Sequence, residues 1–197
     1  LELGALLASL RWKNESADEL CGFARALKLK RTAKPVRIGW LTPLLGLFVL
    51  LDLTSFWGSA YIMRDQMDAS YLTLVVVLAI VGVYHLAASL IFPDEPEQWP
   101  DFDDWYDRQK RMVIGGLLLA NVAVTIGQGV LEEVRPVADA PAGPLAPYAA
   151  PILLGGLVGL LTLLVALLRV RSRRANMAML IAANLILLGA SIAEDYI

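Results

Sequence analysis

The sequence predicts an all-α fold: a polytopic membrane helix bundle of five transmembrane helices, preceded by a partial or interfacial N-terminal helix. Three observations carry this expectation. The composition is 57% hydrophobic and 18% charged, with a mean hydropathy of +0.60, whereas soluble domains hold about 25% charged residues. The apolar residues fall in long blocks, close to the roughly 20 residues that cross a ~30 Å hydrocarbon core at about 1.5 Å per residue. Of the 17 Lys and Arg residues, only Arg64 and Arg135 lie outside one set of alternate connections, the bias that marks cytoplasmic segments.

Taken in order, residues 1–37 form an N-terminal segment and residues 38–197 the membrane domain. Leu1 to Leu10 is apolar but too short to span, and reads as an interfacial piece, a core segment or the end of a sixth helix. The charged run Arg11 to Glu19 blocks its extension. Beyond it, Leu20, Phe23, Ala24, Ala26 and Leu27 alternate with Arg25, Lys28, Lys30 and Arg31. That pattern suits an amphipathic helix on anionic lipid headgroups, with docking of a partner or a specific lipid as the alternative. The five spans are expected at 38–63, 70–92, 112–131, 147–168 and 176–193. Trp40, Trp57, Tyr61, Tyr71, Trp99, Trp105, Tyr148 and Tyr196 mark their ends as aromatic belts do.

The connections differ in chemistry. Pro93 to Arg111 is rich in acids and aromatics, and its second half reads as a helix start. Pro100 stands at the first turn, Asp101, Asp103 and Asp104 near the positive dipole end, and Arg108, Lys110 and Arg111 further along. The third helix is therefore expected to run unbroken from Pro100 to Leu131. The third loop, with Pro136, Pro141, Gly143, Pro144 and Pro147, reads as an irregular outer connection. The basic bias places the N-terminal segment and the second and fourth loops in the cytoplasm, and Glu194, Asp195 and Tyr196 outside.

A single cysteine, Cys21, excludes a disulfide framework, and a single histidine, His85, excludes bis-histidine haem ligation within one copy. Asp103, Asp104 and Asp107 spell an aspartate-rich DDxxD pattern that could hold a hard cation on one helix face. No second acidic motif accompanies it, and a helix start balancing the following basic residues accounts for the same letters.

Polar groups inside the spans are costly unless they face protein or water. The first span carries Asp52, Ser55 and Ser59, the second His85 and Ser89, the third Asn121, Thr125 and Gln128, the fifth Asn184 and Ser191, and the fourth only Thr162. Four helices would then line a polar interior, with the fourth more lipid-facing. Counted from the cytoplasmic end of each apolar run, His85, Asn121 and Asn184 fall roughly 10 to 14 Å deep, and Asp52, Thr125, Gln128 and Ser191 roughly 19 to 24 Å deep. Two polar layers are expected, too far apart for an Asp52–His85 pair. Interhelical hydrogen bonding is one reading of these groups. For Asp52 a proton carrier or cation ligand is the other, held by Ser55, Ser59, Thr125, Gln128 or Ser191. His85 reads as a neutral hydrogen-bonder, a haem or quinone contact, or a relay member. Gly155, Gly156 and Gly159 make a small-residue face on the fourth helix, and Gly116 with Ala120 another on the third. Such faces serve internal packing or a subunit interface.

The run from Leu20 to Arg37, with Phe56-Trp57 and Ile91-Phe92-Pro93, resembles a loose family of small bacterial membrane proteins with no assigned function. The resemblance covers the first half of the chain and implies a bacterial inner membrane and no particular activity. In that family the N-terminus is a full hydrophobic helix, whereas Arg11 to Glu19 is polar here.

No nucleotide loop, metal cluster or nucleophile triad is visible in the sequence, so no catalysis, cofactor or nucleic-acid partner is expected. The expectation is an accessory or assembly subunit of a larger membrane complex, with protein partner subunits or a homo-oligomer. The alternative is a proton- or cation-linked channel or transporter using Asp52 and the polar stripes. A lipid-modifying enzyme using the acidic loop comes third.

Overall fold

The computed structural model of the protein describes residues 39–67, 70–93, 98–135 and 146–194. The expectations placed on residues 1–37, including anionic lipid at Arg25, Lys28, Lys30 and Arg31, lie outside the described residues. So do those on residues 136–145 and on Asp195 and Tyr196. Among the described residues the structure is helical and contains no strand. Five helices follow one another: α1 (Leu41–Ile62), α2 (Tyr71–Ser89), α3 (Phe102–Val134), α4 (Ala149–Arg169) and α5 (Arg173–Glu194), with single 3-10 turns at Met63–Asp65 and Ala146–Tyr148. All five are long and apolar enough to cross a membrane. The chain is a multi-pass membrane protein.

Local chemistry sets where the helices begin. Ser70 Oγ accepts from the Thr73 N–H at 3.3 Å and caps α2. Asp101 accepts from the Asp103 N–H at 2.9 Å and caps α3, with Asp103 and Asp104 in the favourable first turn. The acidic loop thus starts α3 well ahead of its apolar stretch. Its 33 residues make a rod of about 50 Å, far longer than a ~30 Å hydrocarbon core requires. α1 has no side-chain cap of its own. The Asp103 carboxylate of α3 sits instead against the Leu41 N–H, and Gly39 leaves room for it. A β-carbon at Gly39 would collide with that carboxylate. Thr42 Oγ1 donates to the Phe102 carbonyl at 3.0 Å, so the starts of α1 and α3 lie side by side.

α1 is the most interior helix, with half of its apolar window buried against 17% for α2 and α4. It packs on α5, α3 and α2. α3 packs on α2 and α4, and α4 on α5. Leu41, Leu45, Phe48, Val49, Asp52, Phe56 and Ala60 recur at the helical period along its buried face. Leu160, Leu164 and Leu167 of α4 and Leu180, Ala183 and Leu187 of α5 are buried in the common core, and α4 packs on α5. In lipid, close packing rather than apolar burial holds such seams.

The glycine faces separate accordingly. A β-carbon at Gly156 would meet Ala190 and Ile186 at 3.9 Å, and one at Gly159 would meet Ile186 at 3.5 Å. Of the two uses open to this face, Gly156 and Gly159 take internal packing, against α5. Gly155 faces open space. A β-carbon at Gly116 would meet Val83 of α2 at 3.4 Å, and Ala120 is buried, so the small-residue face of α3 is internal as well.

Candidate functional site

Among the described residues, the one acidic side chain placed well inside a span is the centre of the buried polar chemistry. Asp52, 2% exposed, projects from the middle of α1 into the bundle. Tyr84 of α2 donates its hydroxyl to Asp52 Oδ2 at 3.0 Å, and Asn121 of α3 donates Nδ2 to the same oxygen at 2.8 Å. Asn121 Nδ2 also reaches its own Leu117 carbonyl at 3.0 Å, and Thr125 Oγ1 donates to the Asn121 carbonyl at 2.8 Å. Three helices meet on one carboxyl oxygen. Phe56 encloses the group, its ring 5.9 Å from that of Tyr84 and 5.4 Å from Trp57. Both donors are neutral, and among the described residues no cation pairs with Asp52.

This arrangement overturns the two-layer expectation. Counting depth from the start of each apolar run separates Asp52 from Asn121. The Thr42–Phe102 bond shows that α3 begins ten residues before Met112, level with the start of α1. Apolar runs therefore do not share a common zero. The expected holders of Asp52 also change. Ser55, Ser59, Gln128 and Ser191 are half-buried and none donates to it among the described residues, while Thr125 donates to the main-chain carbonyl of Asn121 instead. Tyr84 supplies the bond instead.

His85, expected to line the interior, is exposed on the outer face of α2 one residue past Tyr84. Ser89 is exposed too, its hydroxyl returned to the Leu86 carbonyl at 2.9 Å. Thr162 of α4 likewise bonds back to Val158 at 2.7 Å. Asn184 of α5 is buried and ties α5 to α1 by donating to the Leu44 carbonyl at 3.2 Å and to its own Leu180 carbonyl at 2.8 Å.

A second polar group closes the end of the bundle at which α1 and α3 start. Arg173, at the first turn of α5, donates Nε to Asp107 Oδ2 at 2.8 Å and a terminal nitrogen to Asp104. Lys110, 6% exposed, donates to the Val170 carbonyl at the end of α4 at 2.8 Å, placing a cation at the negative end of that helix. Buried Asn176, with its amide turned to suit both neighbours, accepts from Lys110 Nζ at 3.0 Å and donates to Val170 at 3.3 Å. Trp105 Nε1 donates to the Leu90 carbonyl at 3.0 Å and fastens α3 to the end of α2.

The candidate metal ligands Asp103, Asp104 and Asp107 are thereby reassigned. Arg173 takes two of the carboxylates and the third turns to the start of α1, so they do not converge. Among the described residues no group of three or more His, Cys, Asp or Glu side chains could hold a metal ion. A guanidinium seated between two of the acids repels a cation there.

Sequence reasoning missed Tyr84, Lys110, Arg173 and Asn176. Tyr84 shares a stripe with Ile80, Ala87 and Ile91, all buried, and that spacing of four, three and four was the available signal. For the other three no local signal exists, because the partners that tie Lys110 and Arg173 to another helix lie 60 to 69 residues away in sequence, and Asn176 joins them through Lys110.

No family model, curated protein or solved structure matches the chain. The functional reading rests on the chain's own residues.

Proposed function

We propose that the protein is an accessory or assembly subunit of a larger complex in the bacterial inner membrane, with no catalysis of its own. Its basic end, where α1 and α3 start, faces the cytoplasm, as the distribution of Lys and Arg favours. The observation that supports this reading is how the buried polar groups are used. Asp52, Tyr84, Asn121 and Asn184 join α1 to α2, α3 and α5. Among the described residues these bonds run between helices, and the remaining bonds of Asn121 and Thr125 return to main-chain carbonyls within α3. That is the pattern of interhelical ties rather than of a lined path. The exposed imidazole of His85 on α2 adds support, since a polar ring on a lipid-facing surface is costly unless a neighbour covers it. Gentle solubilisation, sizing and mass spectrometry of what accompanies the native protein test the proposal. A fixed heteromeric partner is expected, and a lone chain from intact membranes would refute it.

A second reading, a proton- or cation-linked transporter, is favoured by Asp52 itself, a buried carboxyl at mid-helix without a cationic partner among the described residues. An intramembrane carboxyl is a functional candidate by default. Asp52→Asn keeps the shape and removes the titratable proton. Under this reading it abolishes pH-driven flux in reconstituted vesicles while insertion stays normal. Under the accessory reading neither form shows flux.

A further inference from the structure

Ion pairing at the basic end is unevenly shared. Arg173 is taken by Asp104 and Asp107, and Lys110 by Val170 and Asn176. Arg111, Arg169 and Arg171 are exposed, and among the described residues no carboxylate pairs with them. The Lys110–Val170 bond brings their helices together, because Arg111 follows Lys110 and Arg169 and Arg171 flank Val170. Arg111 and Arg171 both act on the Lys110 ammonium as neighbouring like charges. Three unpaired guanidinium groups are thus gathered where α3 meets the end of α4.

An apolar surface leads away from them. Along α3, Gly115 lies one turn beyond Arg111, with open space where its side chain would be, and exposed Leu119 lies one turn further. Along α4, exposed Val165 and Val158 stand four and eleven residues before Arg169, on the same helical face. Each stripe carries an arginine at one end and apolar side chains toward mid-membrane. We propose that Arg111, Arg169 and Arg171 form a binding site for the phosphate of an anionic phospholipid whose acyl chains lie along the exposed faces of α3 and α4. Guanidinium groups suit phosphate oxygens, and the apolar stripes favour a headgroup carried on acyl chains over a soluble anion.

The test uses the full chain in nanodiscs of phosphatidylglycerol or phosphatidylcholine, with an arginine-modifying reagent and peptide mapping. Arg111 and Arg171 are expected to be protected in phosphatidylglycerol and modified in phosphatidylcholine, with Arg64 at the other end equal in both. In native mass spectrometry, Arg111→Gln/Arg171→Gln is expected to weaken retention of the tightest-held phosphatidylglycerol by roughly 25-fold, at about fivefold per basic group. Arg111→Lys/Arg171→Lys is expected to restore most of it, separating charge from any effect on folding. Equal modification in both lipids overturns the proposal. Protection in phosphatidylcholine by millimolar inorganic phosphate shows a soluble-anion site and overturns it too, as does protection that requires a co-purifying protein.

Discussion

Tyr84→Phe removes one oxygen and leaves the ring, which is 2% exposed and packed beside Phe56, in place. Asp52 then keeps only the Asn121 bond at 2.8 Å. Interhelical hydrogen bonds in a membrane bundle average about 0.6 kcal/mol and reach about 1.7. A buried acceptor belongs in the upper part of that range, because the partner left behind has no water to turn to. The expected cost is about 1 to 1.5 kcal/mol, close to tenfold in the unfolding equilibrium. Asn121→Leu added to Tyr84→Phe strips Asp52 of both donors. The pair should cost about 1 kcal/mol more than the sum of the single changes, because the whole desolvation penalty of a buried polar group then falls on one residue. Asp52→Leu in that doubly altered background should recover stability. Steric-trapping measurements of unfolding in bicelles, applied to the Asp52 and Tyr84 double-mutant cycle, read these quantities. If Tyr84→Phe costs the same with Asp52 present and with Asp52→Leu, the two side chains are not coupled and the account of the cluster is refuted.

Three further outcomes are expected. Single cysteines introduced between Ala138 and Gly143 should react with an impermeant reagent in intact cells, and one at Ser172 should not; labelling of Ser172 from outside would reverse the proposed orientation. Gly39→Ala should destabilise the protein by about 1 to 3 kcal/mol, since its β-carbon collides with the Asp103 carboxylate; an unchanged unfolding midpoint would show that Asp103 does not rest there. Gly159→Leu should disrupt the α4–α5 seam by displacing Ile186, whereas Gly155→Leu should leave the isolated subunit as stable as wild type; equal losses in thermal unfolding would contradict the packing described.

The spans were legible because the bilayer imposes a length, and each apolar run had to meet it alone. The early start of α3 was legible too, since Asp101, Asp103 and Asp104 announce a helix N-terminus in a few residues. Relative depth was not, because hydropathy marks where apolar residues begin rather than where a helix sits. Asn121 was placed a layer away from the carboxyl it binds for that reason. Tyr84 was read past because tyrosine inside an apolar run carries little polar signal, although its stripe with Ile80 and Ala87 gave its direction. His85 drew attention for its chemistry, yet one residue turns a helix by about 100° and points it outward. The Arg173 pairing depends on two distant segments meeting, which no local pattern encodes.

The sharing of Asp52 Oδ2 also has a consequence for the order of synthesis. Tyr84 lies 32 residues after Asp52, and Asn121 lies 69 residues after it. As the chain leaves the ribosome, α1 carries an acidic side chain toward lipid with neither partner yet made. α2 delivers the first donor, and a two-helix hairpin can shelter the carboxyl while translation continues. At about 5 to 20 residues per second, α3 follows some 2 to 7 seconds later. Tyr84 is therefore the first of the two donors to Asp52 to be made, and its loss is expected to lower insertion yield beyond its effect on the finished fold.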